Sequence, residues 1–226
     1  MGDAIDFLEL KKEQERLARK LVIEDQLPQS ITKIGAATTI SLPDKLIAVI
    51  IVCEYPSMKI LEEKTYSLHN PLPPKAEFLA YREVPAIAEA YNQLQEEPDV
   101  LLIKGYGILH PRNMGVASHL GIILNVPTIG VTDYLNLGKI QQDDITLNGE
   151  LCGHTLLPRE HSNLLYITPG YKVSFETARD IVKQSLRYPH KMPEPLHLAL
   201  RKKNDCKKPK DGETKPLSVL PEVVIS

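Results

Sequence analysis

What most constrains the fold of this chain is a change in the spacing of its strand-like runs at about residues 66–78. Ahead of it, Lys33–Ile40, Leu46–Glu54 and Lys59–Tyr66 follow one another across the turn-forming Leu42-Pro43-Asp44 and Tyr55-Pro56-Ser57 segments. Connections that short pair strands antiparallel, so a three-strand meander is expected. Behind it, past the proline-rich Asn70–Pro74 loop, strands alternate with helices: a helix from Phe78 to Leu94, a strand from Asp99 to Lys104, a helix over Met114–Leu124 and a strand over Thr128–Val131. That alternation calls for crossovers and parallel pairing. A second meander, Thr146–Thr155 and Leu164–Thr168, then leads to a last helix that Ser174 is placed to cap. The pattern predicts an α/β fold, one mixed β-sheet flanked by helices.

Length and composition set the frame for that sheet. With 226 residues, 42% of them hydrophobic, the chain can bury one good α/β core. Phe7, Leu10, Leu17, Leu21 and Val22 fall mostly at helical spacing, which predicts an amphipathic first helix between Asp3 and Gln26 with Asp3 or Asp6 as its cap. After Ala199 the sequence turns to clustered lysines and prolines, so residues 1–200 are read as the folded domain and 201–226 as a basic, disordered tail. A formal charge of -2 excludes the global basic field of a sequence-indifferent nucleic-acid binder, and any such contact must come from a local patch. Cys53, Cys152 and Cys206 show no ligand spacing, the longest apolar run falls short of a bilayer, and the first residues lack a signal peptide. An intracellular protein without membrane contact is expected.

Three segments carry a family likeness: Phe78-Leu-Ala-Tyr-Arg-Glu-Val-Pro85, the long run from Lys104-Gly-Tyr-Gly through His110-Pro-Arg-Asn-Met-Gly-Val-Ala-Ser-His-Leu-Gly121, and Val126–Val131. Together they resemble endonuclease V from the first helix to about Ala199. The resemblance implies an RNase H-like sheet, recognition of a deaminated base such as inosine, and Mg2+-dependent hydrolysis of a nearby phosphodiester. Such hydrolysis needs carboxylates converging at strand ends, because a hard divalent cation takes oxygen ligands.

Against that pattern the chain departs at the chemistry. Glu83 matches the family's glutamate, but Ala37 falls where a first-strand aspartate is expected and Lys104 where the aspartate of the D-G-x-G turn is expected. Asp133 stands where the family has a lysine near the reacting phosphate, and Thr168-Pro169-Gly170-Tyr171 replaces S-P-G-H. No resident metal is expected, with Glu83 the retained ligand position if Mg2+ binds for residual cleavage. Strands ending at Lys104 and Asp133 should be neighbours about 4.8 Å apart. The Lys104 ammonium would then take the place of a metal, pairing with Asp133 and Glu83. Independent drift of both residues to solvated loops is the other reading left open.

The recognition elements are better kept. Gly105, Gly107, Gly115, Ser118 and Gly121 match small residues of the family's base pocket, where close backbone approach reads a flipped base; tight helix packing would select the same residues. Arg112 is the expected phosphate contact. His110 is read as shaping a turn and His119 as a packed histidine. Where the family has an aromatic wedge, Asn70–Lys75 offers only Leu72. The leading expectation is therefore an endonuclease V-like binder of single-stranded RNA or DNA, inosine-containing strands included, without metal-dependent cleavage. Two alternatives stand beside it. One is an active endonuclease with a rearranged site drawing on Glu83, Asp133 and Glu54 or Asp99. The other is a protein-interaction scaffold docking through the apolar end of the tail, 217–226.

Overall fold

A computed structural model describes residues 5–206. Its core is one nine-stranded sheet in the order β3-β2-β1-β4-β5-β9-β8-β7-β6. The first meander forms as the short turns require: β1 (Lys33–Ser41), β2 (Lys45–Glu54) and β3 (Ile60–His69) pair antiparallel, with Ala37 opposite Ile50. β4 (Val100–Lys104) and β5 (Thr128–Thr132) then extend the sheet in parallel from β1, reached through helix α2 (Leu79–Tyr91) and helix α3 (Val116–Leu124). The far half is antiparallel again, β9 (Leu165–Tyr171) against β5, followed by β8 (Glu150–Leu156), β7 (Asp144–Leu147) and β6 (Lys139–Gln141). Two strands were expected in this region and four are present; β6 and β7 are too short for alternation to show in sequence.

Side-chain alternation along the central strands divides the core in two. Ala37 of β1 and Leu101 and Ile103 of β4 face one way, toward Ala80, Val84 and Ile87 of α2 and Leu120 of α3. Ala36, Val100, Leu102, Ile129 and Val131 face the other way, toward Ile181 and Val182 of α4 (Phe175–Gln184) and Leu196 and Ala199 of α5 (Glu194–Asp205). Every one of these side chains is essentially excluded from water, and each large aliphatic among them contributes about 1.5–3 kcal/mol through burial. This parity decides which side chains meet at the ends of the strands.

Capping follows the sequence at both places it was read. Asp6 accepts from the backbone N–H of Leu8 at 2.9 Å and of Glu9 at 3.2 Å, opening α1 (Phe7–Ala18), and Ser174 accepts from Thr177 N–H at 3.3 Å, opening α4. Two boundaries are corrected. The first helix stops at Ala18 rather than Gln26, because Leu21 and Ile23 leave the helical path to pack beneath the β6–β8 lobe, and Lys172 N–H bonds to Val22 C=O at 2.7 Å. At the other end α5 carries the fold through Asp205, past the expected limit at residue 200: Leu200 and Cys206 pack against the core although the composition there is basic. The rest of the expected tail, including the docking segment 217–226, lies outside the described residues. Among the described residues no helix is long and apolar enough to cross a membrane.

Candidate base cavity and ion-pair site

Beyond the C-terminal ends of β1, β4 and β5, at the side of the sheet that α2 covers, lies a cavity of about 350 Å³. That volume falls at the lower end of small-ligand sites. Ala80, Leu109, Met114 and Val116 give it an apolar lining, and its polar side chains beside the tyrosines are Glu77, Glu83, Lys104, His110 and Asn136. Tyr106 and Tyr134 supply an aromatic wall, their rings 5.8 Å apart and edge to face, with the Tyr106 hydroxyl donating to Tyr134 C=O at 2.7 Å and accepting from Asn136 N–H at 2.9 Å. Tyr134 remains 47% exposed, so a ring face stands open to solvent beside the cavity. Neither tyrosine was singled out in the sequence; the signal available was their position directly beside Gly105 and Asp133.

The carboxylate facing Lys104 is that of Asp133. The two form a close ion pair, and Lys104 Nζ lies 5.6 Å from the centre of the Tyr134 ring. Parity explains the match. Lys104 continues the row of Val100 and Leu102, and Asp133 that of Ile129 and Val131, so both reach the α4/α5 side of the sheet, where the α4–α5 connection delivers Lys191 to the other Asp133 oxygen at 3.6 Å. Lys191 escaped the sequence reading because nothing local marks it. Burial holds the Lys104 amine below the ordinary lysine value, while Asp133, despite burial, is held below the ordinary carboxylate value by Lys104.

Glu83 lies apart from this pair, which corrects the expectation that Lys104 would engage both carboxylates. It comes from α2, on the opposite face, and receives a hydrogen bond from the Thr39 side chain of β1. Burial pushes its carboxyl up from 4.5 to about 7, since desolvation disfavours the charged form. A proton held by the folded state and released by the unfolded one stabilises the fold at low pH. That contribution is complete below 4.5 and disappears as pH rises through 7, a loss of about 3 kcal/mol. His110 and His119 act in the opposite sense. Burial lowers both from 6.5 to about 4, so each costs stability as pH falls through that window, again about 3 kcal/mol apiece. Two groups outweigh one, and the native chain should lose stability on acidification from pH 7 to 4. Urea titrations of Glu83→Gln isolate the carboxyl: the variant should match the native chain near pH 4.5 and exceed it by about 3 kcal/mol at pH 8. A difference independent of pH would mean that Glu83 titrates normally.

Several expected site residues turn out to serve the scaffold. A Cβ on Gly107 would lie 2.0 Å from Pro169 C=O, on Gly115 2.4 Å from Tyr106 C=O, and on Gly121 2.5 Å from the Thr128 hydroxyl. Ser118 is wholly buried on α3 and outside the cavity lining. Gly105 differs: a Cβ there would meet only Val116 at an ordinary 3.6 Å, so the fold does not demand glycine at this cavity wall. Arg112, expected at a phosphate, is instead engaged inside the protein, its Nε donating to Gln14 of α1 at 2.7 Å and its guanidinium pairing with Glu77 at 2.9 Å. His110 donates from Nε2–H to Glu77 C=O at 3.1 Å, and His119 packs edge-on to Tyr81. Leu72 is half-buried in a loop pinned by Arg82, which donates to Leu72 C=O and, at 3.0 Å, to the Ser41 hydroxyl.

These positions do not fit a divalent cation. Ala37 offers a methyl group sealed beneath α2, Lys104 places an ammonium where a carboxylate was expected, and both Asp133 oxygens face lysines. Among the described residues no three His, Cys, Asp or Glu side chains converge as metal ligands. Nor can Glu54 or Asp99 supply oxygens, which corrects the rearranged-site alternative. Glu54 pairs with Lys33 at the start of β1, and Asp99 accepts from Thr32 N–H at 2.7 Å and Lys33 N–H at 3.0 Å, both at the opposite end of the sheet from Lys104.

The family model for endonuclease V matches residues 15–201. The chain is 32% identical over 202 residues to endonuclease V of Dictyoglomus turgidum, covering 85% of this chain and 87% of that protein. With endonuclease V of Thermofilum pendens it shares 33% over 194 residues, 84% of each. Among solved structures it superimposes on the catalytic domain of human endonuclease V with a TM-score of 0.80 at 26% identity, covering 88% of this chain and 95% of that one. The Ciona intestinalis endonuclease V, solved in complex with a 23mer DNA containing an inosine followed by a ribo-adenosine, gives 0.80 at 25% identity, with 88% and 95% covered.

Proposed function

The chain belongs to the endonuclease V family, and from that premise we propose that it binds an unpaired purine, inosine above all, in the β4–α3 cavity of a single-stranded RNA or DNA without hydrolysing the strand. What carries the reading is the contrast at one strand end. The apolar cavity with its aromatic wall is intact, while the adjoining position for a metal-binding carboxylate holds an ammonium ion-paired to Asp133.

Each part of the cavity has a use in such binding. Tyr134 presents a ring on which a base can stack, an interaction of about 1–3 kcal/mol. Gly105 leaves room that the fold itself does not require. Burial raises the Glu83 carboxyl toward neutrality, and in its protonated form it can donate to a base carbonyl, in its charged form accept from a ring N–H. Leu72, held in its loop by Arg82, is a poor wedge for opening a duplex, which favours strands that are already single.

The test is binding and cleavage of inosine-containing single strands, RNA and DNA in parallel, with Mg2+ or Mn2+ and with chelator. The expected result is metal-independent binding without product. Gly105→Leu should abolish that binding while leaving the melting temperature within a few degrees, because a larger side chain must enter the cavity. Cleavage by the native chain that Glu83→Ala removes would overturn the reading, as would binding that Gly105→Leu leaves unchanged.

A further inference from the structure

We infer that Lys104 and Lys191, set against the two oxygens of Asp133, form a metal-free seat for the phosphate of the nucleotide whose base enters the cavity. The inference deepens the base-binding reading and rests on it. Two ammonium groups and one carboxylate leave the cluster at 2 − 1 = +1. The other carboxylate at the cavity rim, Glu77, is paired with Arg112, and Glu83 is held partly protonated on the α2 side. A local positive site therefore stands on a chain whose total charge is -2. In a nucleotide, base and phosphate are joined by a single sugar. Lys104 itself lines the cavity, so a phosphate joined to a bound base falls within reach of the lysine pair.

Donor counting favours an anion there. Each ammonium carries three N–H donors. Lys104 directs one at Asp133 Oδ1, and Lys191 approaches Oδ2 at 3.6 Å, a distance of ion pairing rather than hydrogen bonding. One carboxylate cannot saturate six donors, and phosphate oxygens are their natural acceptors. Asp133 then acts as the positioning group that holds two like charges together, work that a metal-binding carboxylate set would do for a cation. The α4–α5 connection brings Lys191 to the site from the sheet face opposite α2. A bound strand would therefore be gripped from both sides, its base on the α2 side and its phosphate on the other.

The ligand chemistry is a phosphate ester beside a purine, and it has two sources, a free nucleotide or a strand. Four probes separate them in chelating buffer with the full chain: inosine, inosine 5′-monophosphate, a single-stranded RNA with one inosine, and that RNA with the linkages flanking inosine made neutral as methylphosphonates. The charged probes should bind about tenfold or more tightly than their neutral counterparts. Lys191→Ala, in the α4–α5 connection, should remove most of that advantage and lower the slope of log affinity against log salt by about one, with inosine itself unaffected. Lys104→Ala should act in the same direction. A gain confined to the monophosphate identifies a free nucleotide, and a gain confined to the strand identifies an internal phosphodiester; either supports the seat. Equal affinities for charged and neutral probes, or a Lys191→Ala protein indistinguishable from the native one, would overturn the seat while leaving base binding standing. Failure of every probe, inosine included, would overturn both.

Discussion

Ala37→Asp destabilises this protein by about 3 kcal/mol or more, which for a chain of this size lowers the melting temperature by roughly 6–12 °C. Ala37 has no exposed surface and packs among Leu101 and Ile103 of β4 and Ala80 and Val84 of α2. A carboxylate there loses its hydration beneath a shell of apolar side chains. Lys104 continues the strand row that faces away from Ala37 and is already paired with Asp133, while Glu83 on the α2 side carries the same sign when charged. The position where a metal-binding aspartate was expected is thus closed over in this chain. Adding Lys104→Asp should not recover stability in chelator, because it removes the ammonium and leaves more carboxylates than before. The double variant alone should then show a rise in melting temperature on adding Mn2+ or Mg2+, since a ligand that binds only the folded state stabilises it. Thermal and urea unfolding of the native, single and double variants, each with and without metal, decides the matter. An Ala37→Asp protein within 1 kcal/mol of the native chain would show that residue 37 has access to water or to a cation, and the closed-site account would be wrong.

Gly107→Ala is the second large effect, and its contrast with Gly105→Ala is the informative part. The new Cβ at residue 107 would stand 2.0 Å from Pro169 C=O, 2.6 Å from its carbonyl carbon and 2.9 Å from Thr168 C=O. All three are backbone atoms of β9, so relief requires a strand to move, together with the 2.7 Å bond from Gly107 N–H to the Thr168 hydroxyl. A cost of about 3 kcal/mol or more follows, at the upper end of what overpacking does. At Gly105 the same methyl meets ordinary contact distances, so Gly105→Ala should change stability by less than about 1 kcal/mol and show its effect in ligand binding instead. Urea midpoints with an unchanged m-value measure both. Equal costs at the two glycines would mean that β9 yields easily and that Gly107 is not held by packing.

Those two glycines show where sequence reading stops. Both belong to one Gly-Tyr-Gly turn and both were expected at a base pocket, yet one lines the cavity and the other is pressed against a strand 61 residues away. Short connections and strand–helix alternation were enough to foresee the meander β1–β3 and the parallel β4–β5 pair, because those patterns are local. Asp6 and Ser174 were legible as caps for the same reason. The motifs identified the family, and that residues 37 and 104 carry no carboxylate could be read directly, because an alanine or a lysine has no oxygen to offer.

Lys104 and Asp133 were expected to meet, but tertiary structure alone decided which other charges join or miss them. Lys104, Asp133 and Lys191 come from two strand ends and a helix connection, and Glu83 is turned from them by the face of the sheet that α2 occupies. Arg112 looked available for phosphate until Gln14 and Glu77 were brought to it from 98 and 35 residues away. The basic sequence after Ala199 looked like the start of a tail until α5 was seen to lay Leu200 and Cys206 on the core. Sequence fixes which groups a side chain carries and how each segment repeats. It leaves open which distant segment will cover a given group, because that depends on how the whole sheet divides its two faces between the helices.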